Sequence, residues 1–120
     1  YPLYPGNNPG SMPGHIVNCP LPPGSGSEAF RAAVTQHWLP ALEQFAPQMI
    51  FISAGFDGHA ADDLAALRLA TADYGWVTDR ACEVAARHAN HRVVSTLEGG
   101  YELSALAASA VVHIDRLMAD

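Results

Sequence analysis

The sequence has no lysine, and its six basic residues are arginines that stand apart from one another in a chain of net charge −6. A chain without a basic cluster does not suit direct binding to the phosphate backbone of nucleic acids, whereas a cationic substrate or a basic protein tail suits its charge. The sequence also lacks an apolar run long enough to span a bilayer, and no signal peptide is visible. We therefore expect a cytoplasmic protein that binds neither nucleic acid nor membrane.

Cysteine is scarce as well, since only Cys19 and Cys82 are present. They have neither the CxxC spacing of zinc and redox sites nor the pattern of a disulfide framework, so we expect buried, reduced thiols. The chain has no GxSxG elbow, and the glycine pair before its first predicted helix, Gly24 and Gly26, lacks the rest of a phosphate-binding loop. These absences disfavour serine hydrolases and nucleotide-binding enzymes.

The composition that remains is that of one globular domain at most, with 49% hydrophobic and 15% charged residues in a chain of 120. An α/β sheet covered by helices on both faces usually needs more chain than this. Residues 1–6 have the Pro and Gly content of a loop interior rather than of a natural start. We therefore expect a piece of a longer protein.

Two short apolar runs predict buried strands in the middle of a parallel sheet. One covers residues 49–54, between Pro47 and Gly55, and the other covers residues 92–97. Residues 15–21 are a candidate for an earlier strand. With helices predicted between these runs, the order is β-α-β-α-β-α, which implies parallel strands and right-handed crossovers.

The helices are predicted by apolar spacing and capping residues. The first begins at Ser25, which stands three residues before Glu28 as in a capping box, and Pro40 should kink it. The second covers residues 71–90, and a short helical turn is expected within residues 64–69. The last helix is expected to place these residues on one face: Leu103, Leu106, Ala107, Ala110, Val111, Ile114 and Leu117.

Each of the two main strands is followed by a residue with catalytic potential. Asp57 follows the first and Tyr101 the second, and parallel strands deliver both to the edge where α/β sheets bind ligands. Asp57 is a candidate metal ligand or general base, with capping of a turn as its alternative role. Tyr101 is a candidate hydrogen-bond donor to an oxyanion because a phenol stays protonated at neutral pH, with packing at the rim as its alternative. We expect the two side chains to face one crevice.

The residues around these two candidates have simpler expected roles. Gly99 and Gly100 would let the backbone approach a substrate closely. Asp62 and Asp63 are expected to cap the turn that follows the first strand. His59 forms a DxH pattern with the preceding aspartate, a possible metal pair, although side chains in a turn need not converge.

Two motifs at a matching distance resemble the histone deacetylase family, which includes bacterial histone deacetylase-like amidohydrolases and acetylpolyamine amidohydrolases. They are SAGFD at residues 53–57, followed by Asp62, and LEGGY at residues 97–101. The earlier VNCPLPPG at residues 17–24 and YPG at residues 4–6 are similar to that family in order and spacing. The resemblance implies that residues 1–120 are the carboxyl-terminal portion of a single catalytic domain.

The same resemblance implies a fold and a site. The fold is an arginase-like three-layer α/β/α sandwich with a parallel sheet. Asp57 matches a zinc-binding aspartate, and Tyr101 matches the catalytic tyrosine that polarises the amide carbonyl. An aromatic wall of the substrate channel, an apolar rim and the glycines flanking the acyl pocket are implied at Tyr4, Leu64, Gly99 and Gly100.

The implied reaction is hydrolysis of the acetyl amide of an acetylated lysine or polyamine by a zinc-dependent deacetylase, with potassium as a structural ion nearby. The other zinc ligands and the histidine base would lie upstream. The chain alone is therefore expected to be inactive, and to form a homo-oligomer or associate with the missing amino-terminal part. Asn7-Asn8 in place of Thr-Gly, and Asp63 in place of proline, depart from the family pattern and leave the substrate preference open.

Two alternatives remain beside this reading. One is a non-catalytic fragment or degenerate homologue that acts as an interaction or structural piece, because the base and two ligands are not in the chain. The other is a manganese ureohydrolase of the same fold, which the Gly99-Gly100-Tyr101 loop argues against.

Overall fold

In the described part of the chain, two parallel strands form the sheet: β1 (Ile50–Ala54) and β2 (Val93–Leu97). They pair in register from Ile50 with Val93 to Ala54 with Leu97. The structure is a computed structural model and describes residues 14–119. The two main strands and their parallel arrangement are thus confirmed, since a helix connects them and brings the chain back to the same end of the sheet.

Within residues 14–119, four α-helices pack against one face of this strand pair. They are α1 (Ser27–Ala33), α2 (Leu39–Phe45), α3 (Thr71–His88) and α4 (Leu103–Met118). Helix α3 is the crossover between β1 and β2, as the β-α-β order predicts. No helix among residues 14–119 is long and apolar enough to cross a membrane.

A widened π-helical turn, Val34–Trp38, joins α1 to α2 without a break. Pro40 stands in the first turn of α2, where its missing N–H and its ring would disturb a regular α-helix before it. The predicted disturbance at Pro40 therefore appears as a π-turn, which is one of the common ways in which a helix accommodates an irregularity.

The start of α1 differs from the prediction. The helix begins at Ser27 with Gly26 as its N-cap, and no side chain caps it. Ser25 instead donates a hydrogen bond from Oγ to the carbonyl of Pro22 at 2.7 Å. The capping-box prediction at Ser25 is wrong because the hydroxyl closes the preceding Pro-Pro-Gly turn, a use for which serine competes readily.

Asp73 ties the amino-terminal end of α3 to α1. Its Oδ2 accepts hydrogen bonds from Ser27 Oγ at 2.5 Å and from the amide of Ala70 at 2.8 Å, while Oδ1 accepts from Arg31 Nε at 2.8 Å. Burial by itself raises the pKa of Asp73, but these hydrogen bonds outweigh it and hold the pKa below its ordinary value. A fully buried carboxylate is thus kept ionised by its partners.

The helices cover only one face of the sheet. Ile50, Ile52 and Ala54 point to that face and pack against residues of α2, α3 and α4. Phe51 lies on the opposite face and is 74% exposed, next to the exposed Val94. The prediction of strands buried on both faces is therefore wrong for residues 14–119, because no helix within them covers the second face.

Helix α4 presents a different face to the core from the one predicted. Its buried residues are Ala105, Ser109 and His113, which repeat every four positions. The predicted stripe is split: Leu106 and Ala110 pack against the core, whereas Leu103, Val111 and Ile114 are exposed. Apolar residues occupy more than half of the helix circumference, so spacing alone did not identify the buried side.

Two further predicted elements are absent. Residues 15–21 form no strand in the described part of the chain, and the sheet there contains β1 and β2 alone. Residues 64–69 are irregular, with Ala66 in the left-handed region and short bridges from Leu69 to His59 and from Arg68 to Gly26. In the second segment Leu67 and Leu69 pack in the core without regular structure, whereas Ile16 and Val17 in the first are exposed.

Candidate active site

The carboxyl ends of β1 and β2 remain paired beyond the strands themselves. The amide of Glu98 donates to the carbonyl of Ala54 at 3.0 Å, and the amide of Phe56 donates to the carbonyl of Gly99 at 2.8 Å. This continued ladder brings the two loops that follow the strands side by side. Asp57 and Tyr101 therefore stand at the same edge of the sheet, as predicted from the parallel strands.

The Asp57 carboxylate lies directly against the backbone of the opposite loop. A Cβ at Gly99 would stand 2.5 Å from Asp57 Oδ1 and 2.9 Å from its Cγ. A Cβ at Gly55 would stand 3.0 Å from the same Oδ1. The carboxylate thus occupies space that exists only because both neighbours are glycine.

Tyr101 follows Gly100, whose φ of +136° is in the region that favours glycine. A Cβ there would also lie 2.9 Å from Leu106 Cδ1 and 3.2 Å from Phe56 Cβ. The loop therefore needs glycine at this position for both conformation and space. Tyr101 itself is 61% exposed, so its phenol is accessible to a bound molecule.

Asp62 connects the two loops, a role that sequence reasoning missed. Its Oδ1 accepts from the amide of Leu64 at 3.0 Å, which is the turn-capping contact that was predicted. Its Oδ2 also accepts from the amides of Tyr101 at 2.7 Å and Glu102 at 3.0 Å. The three amides hold the pKa of this buried carboxyl below its ordinary value.

A tyrosine of α3 holds the loop that follows β1. Tyr74 on α3 donates its hydroxyl to the carbonyl of Phe56 at 3.1 Å, and its ring packs on that of Phe56. Burial raises the pKa of Tyr74, and so do the charges of Asp57 and Asp62. The phenol therefore stays neutral and acts as a fixed donor immediately before Asp57.

His59 does not join Asp57 as a metal ligand pair within the described residues. Its Nδ1 accepts from the amide of Ala61 at 3.1 Å, and its Nε2 pairs with Thr71 Oγ1 at 3.2 Å. Both ring nitrogens are therefore occupied in holding the loop. Among residues 14–119, no three His, Cys, Asp or Glu side chains are grouped closely enough to hold a metal ion.

The remaining predicted site residues are placed as follows. Leu64 is exposed in the loop after Asp57, with its amide held by Asp62. Gly99 and Gly100 form the loop between β2 and Tyr101. Tyr4 lies outside the described residues, so its predicted place in a channel wall stays a prediction.

Comparison with known proteins decides the family. The sequence profile of the histone deacetylase domain matches residues 1–117 of the chain. The chain belongs to the histone deacetylase domain family. The resemblance carried by the SAGFD and LEGGY motifs is thereby confirmed.

Relatives and a solved structure of this family show how much of their own length the chain matches. The chain is 39% identical over 108 residues to a probable deacetylase of Archaeoglobus fulgidus, covering 85% of the chain and 30% of that protein. It is 38% identical over 104 residues to a histone deacetylase-like amidohydrolase of Pseudomonas aeruginosa, covering 87% of the chain and 27% of that protein. The structure of the histone deacetylase Clr3 superposes with a TM-score of 0.78 at 30% identity, over 87% of the chain and 17% of Clr3.

These matches confirm the fold class as the α/β architecture of histone deacetylase domains. The chain spans less than a third of the length of these relatives. Within it, β1, β2 and the covering helices provide part of the parallel sheet and one helical layer of the three-layer sandwich.

Proposed function

We propose that the protein containing this chain is a zinc-dependent deacetylase that hydrolyses the acetyl amide of an acetylated lysine or polyamine to acetate and an amine. The observation that supports this most is that the Asp57 carboxylate lies against Gly99. Gly99 stands two residues before Tyr101, which is exposed. A carboxylate and a phenol then border one edge of the sheet, where α/β proteins bind ligands.

Asp57 fits the role of a zinc ligand. Carboxylate oxygens bind zinc, and no side-chain hydrogen bond or ion pair engages this carboxylate among the residues that the structure describes. Catalytic zinc sites take three protein ligands, and this chain offers one of them here. The other ligands, and the general base, are expected outside this chain.

When bound, zinc supplies a Lewis acid that polarises the amide carbonyl and lowers the pKa of a water molecule. The chain's own contribution is to hold Asp57 in place and to present a donor. The Tyr101 hydroxyl would donate a hydrogen bond to the oxygen on which negative charge develops. Gly99 and Gly100 keep side chains away from the acyl group, and Leu64 contributes an apolar rim.

The charge of the chain suits the proposed substrates. With a net charge of −6 and no lysine, it favours a molecule that carries positive charge beside the acetyl group, as an acetylated polyamine or a basic protein tail does. We also propose a cytoplasmic location for the protein, and we assign no residue of this chain to a potassium ion.

A second candidate function is a non-catalytic piece that associates with another chain. It is favoured by the exposed sheet face at Phe51 and Val94, since an uncovered apolar face promotes pairing. Under this alternative, the chain would pair with another polypeptide through this face, and no acetate would be released.

The test is an acetate-release assay of the full protein on an acetyl-lysine peptide and on an acetylpolyamine. We expect equal amounts of acetate and amine, loss of turnover with a chelator, and recovery on adding zinc. Asp57→Asn keeps the shape of the side chain but removes one anionic ligand, so zinc content and turnover should both fall. Failure of the wild-type protein to release acetate with zinc bound would favour the non-catalytic alternative.

A further inference from the structure

The Asp62 carboxylate is buried, yet it forms no ion pair among residues 14–119. Asp62 is 5% exposed. Within residues 14–119 its carboxylate accepts hydrogen bonds from three backbone amides, those of Leu64, Tyr101 and Glu102. Moving a carboxylate out of water is costly unless hydrogen bonds compensate it. The three amides supply that compensation, so the ionised group and the two loops stabilise each other.

The three contacts require both oxygens of the Asp62 side chain to act as hydrogen-bond acceptors. An ionised carboxylate only accepts hydrogen bonds, whereas an asparagine amide has one accepting oxygen and one NH₂ group. Asparagine at position 62 could therefore satisfy the amide of Leu64 or those of Tyr101 and Glu102, but not both sides. Hydrogen bonds to a charged acceptor are also about twice as strong as neutral ones.

The contacts span the two loops at the sheet edge. Leu64 lies in the loop that follows Asp57, and Tyr101 lies 39 residues further along the chain than Asp62. Glu102 is also the N-cap of α4, where its carboxylate accepts from the amides of Ser104 and Ala105. One side chain thus fixes the Tyr101 backbone relative to the Asp57 loop and to the start of a helix.

We propose that Asp62 is a positioning residue for Tyr101: its carboxylate sets where the phenol stands relative to Asp57. This inference rests on the proposed function, in which the Tyr101 hydroxyl donates to an oxyanion. An exposed side chain such as Tyr101 has few contacts of its own to fix it, so its backbone amide is the main point of control. A donor displaced by about 1 Å can cost on the order of a hundredfold in rate.

The test uses Asp62→Asn in the full protein, with Asp63→Asn as the matched control. Asp63 is the exposed neighbour and loses the same charge. We expect Asp62→Asn to lower kcat about 10- to 100-fold with KM within about threefold of wild type, because the substrate is still bound but the donor is misplaced. Asp63→Asn should change neither constant appreciably.

A double-mutant cycle separates positioning from a general structural role. In a Tyr101→Phe background the hydroxyl is gone, so adding Asp62→Asn should lower kcat by no more than about threefold. Loss of the same factor in both backgrounds would overturn the proposal, and so would a wild-type kcat in folded Asp62→Asn. If Tyr101→Phe alone leaves kcat unchanged, the proposed function of Tyr101 fails and takes this inference with it.

Amide hydrogen exchange of the wild-type protein covers the case in which Asp62→Asn does not fold. The amides of Tyr101 and Glu102 should be protected, because each is hydrogen-bonded to a buried oxygen. Exchange of both amides at the rate of an unstructured peptide would show that the Asp62 contacts do not persist in solution, and would overturn the proposal.

Discussion

The Asp57 carboxylate occupies the space beside Gly99, where an added Cβ would stand 2.5 Å from Asp57 Oδ1. The contact joins the loops after β1 and β2, which the paired strands have already brought together. It makes the position of the candidate metal ligand depend on a residue in the other motif. SAGFD and LEGGY thus form one structural unit.

Alanine at Gly99 should displace the Asp57 carboxylate. The new methyl group would overlap Oδ1, and Gly99 does not have the positive φ that would add backbone strain. We expect Gly99→Ala to lower both zinc content and kcat, the latter by about tenfold or more, because the ligand must move. Zinc analysis and steady-state kinetics on the full protein check this.

Two further glycine variants test whether the loss of zinc and turnover depends on how close the added Cβ lies to Asp57 Oδ1. Gly55→Ala brings a Cβ to 3.0 Å from the same oxygen, so its losses should be smaller than those of Gly99→Ala. Gly26→Ala is the control, since its Cβ would meet only the carbonyl of Arg68 at 3.4 Å. Equal losses for all three variants would show that the Asp57 contact is not the cause.

Asp73 should matter for stability rather than for chemistry. Asp73→Ala removes the buried common acceptor of Ser27, Arg31 and the Ala70 amide, and it leaves these part-buried donors without that partner. We expect a loss of about 1–3 kcal/mol in the free energy of unfolding, measured with urea. The kcat of the protein that remains folded should be close to that of wild type.

Asp79→Ala is the matched control on the same helix. Asp79 forms a solvent-exposed ion pair with Arg116 at 3.6 Å, and such pairs contribute about 0–1 kcal/mol. If Asp79→Ala costs as much as Asp73→Ala, the buried network of Asp73 does not have the importance assigned to it.

The buried His113 should make stability depend on pH. Thr78 Oγ1 donates to the carbonyl of Tyr74 at 2.6 Å and pairs with His113 Nδ1 at 2.7 Å, and Ser95 Oγ pairs with Nε2 at 2.8 Å. Since Thr78 already donates its hydroxyl proton to the Tyr74 carbonyl, it accepts from His113. Nδ1 of His113 therefore carries the hydrogen, and Nε2 accepts from Ser95. Burial lowers the pKa of His113, so the folded protein holds a neutral ring.

The sign of the effect follows from proton binding. The unfolded chain binds a proton to His113 at about pH 6.5, whereas the folded protein binds it only at lower pH. The stabilisation is therefore complete above about pH 6.5 and is lost as the pH falls, by about 1.4 kcal/mol for each unit of pKa difference. Urea unfolding at pH 7.5 and 5.0 should show a smaller pH dependence in His113→Gln; an unchanged dependence would contradict this.

The sequence was sufficient to predict the sheet edge, because its signals there are local. The apolar run between Pro47 and Gly55 identifies β1, and the order of elements requires the next strand to be parallel to it. The placement of Asp57 and Tyr101 at one edge then follows from topology alone. The two glycines of the LEGGY motif indicated close backbone approach, although not that the approaching group is the Asp57 carboxylate.

What sequence reasoning missed depends on contacts between distant residues. Asp62 was expected to cap its own turn, which it does, but its second oxygen serves an amide 39 residues away. The buried side of α4 was misassigned because Leu103 and Val111 match the helical period as well as Ala105 and Ser109 do. Phe51 follows the pattern of a doubly buried strand, but whether a face is covered depends on other segments.

The most direct test is the turnover of Tyr101→Phe in the full protein, with bound zinc and melting temperature measured on the same samples. The substitution removes only the hydroxyl and keeps the ring, so we expect kcat on an acetyl-lysine peptide to fall about 10²- to 10³-fold while zinc stoichiometry and melting temperature stay at their wild-type values. Undiminished turnover by the folded, zinc-loaded variant would contradict the assignment of Tyr101 as the donor to the oxyanion.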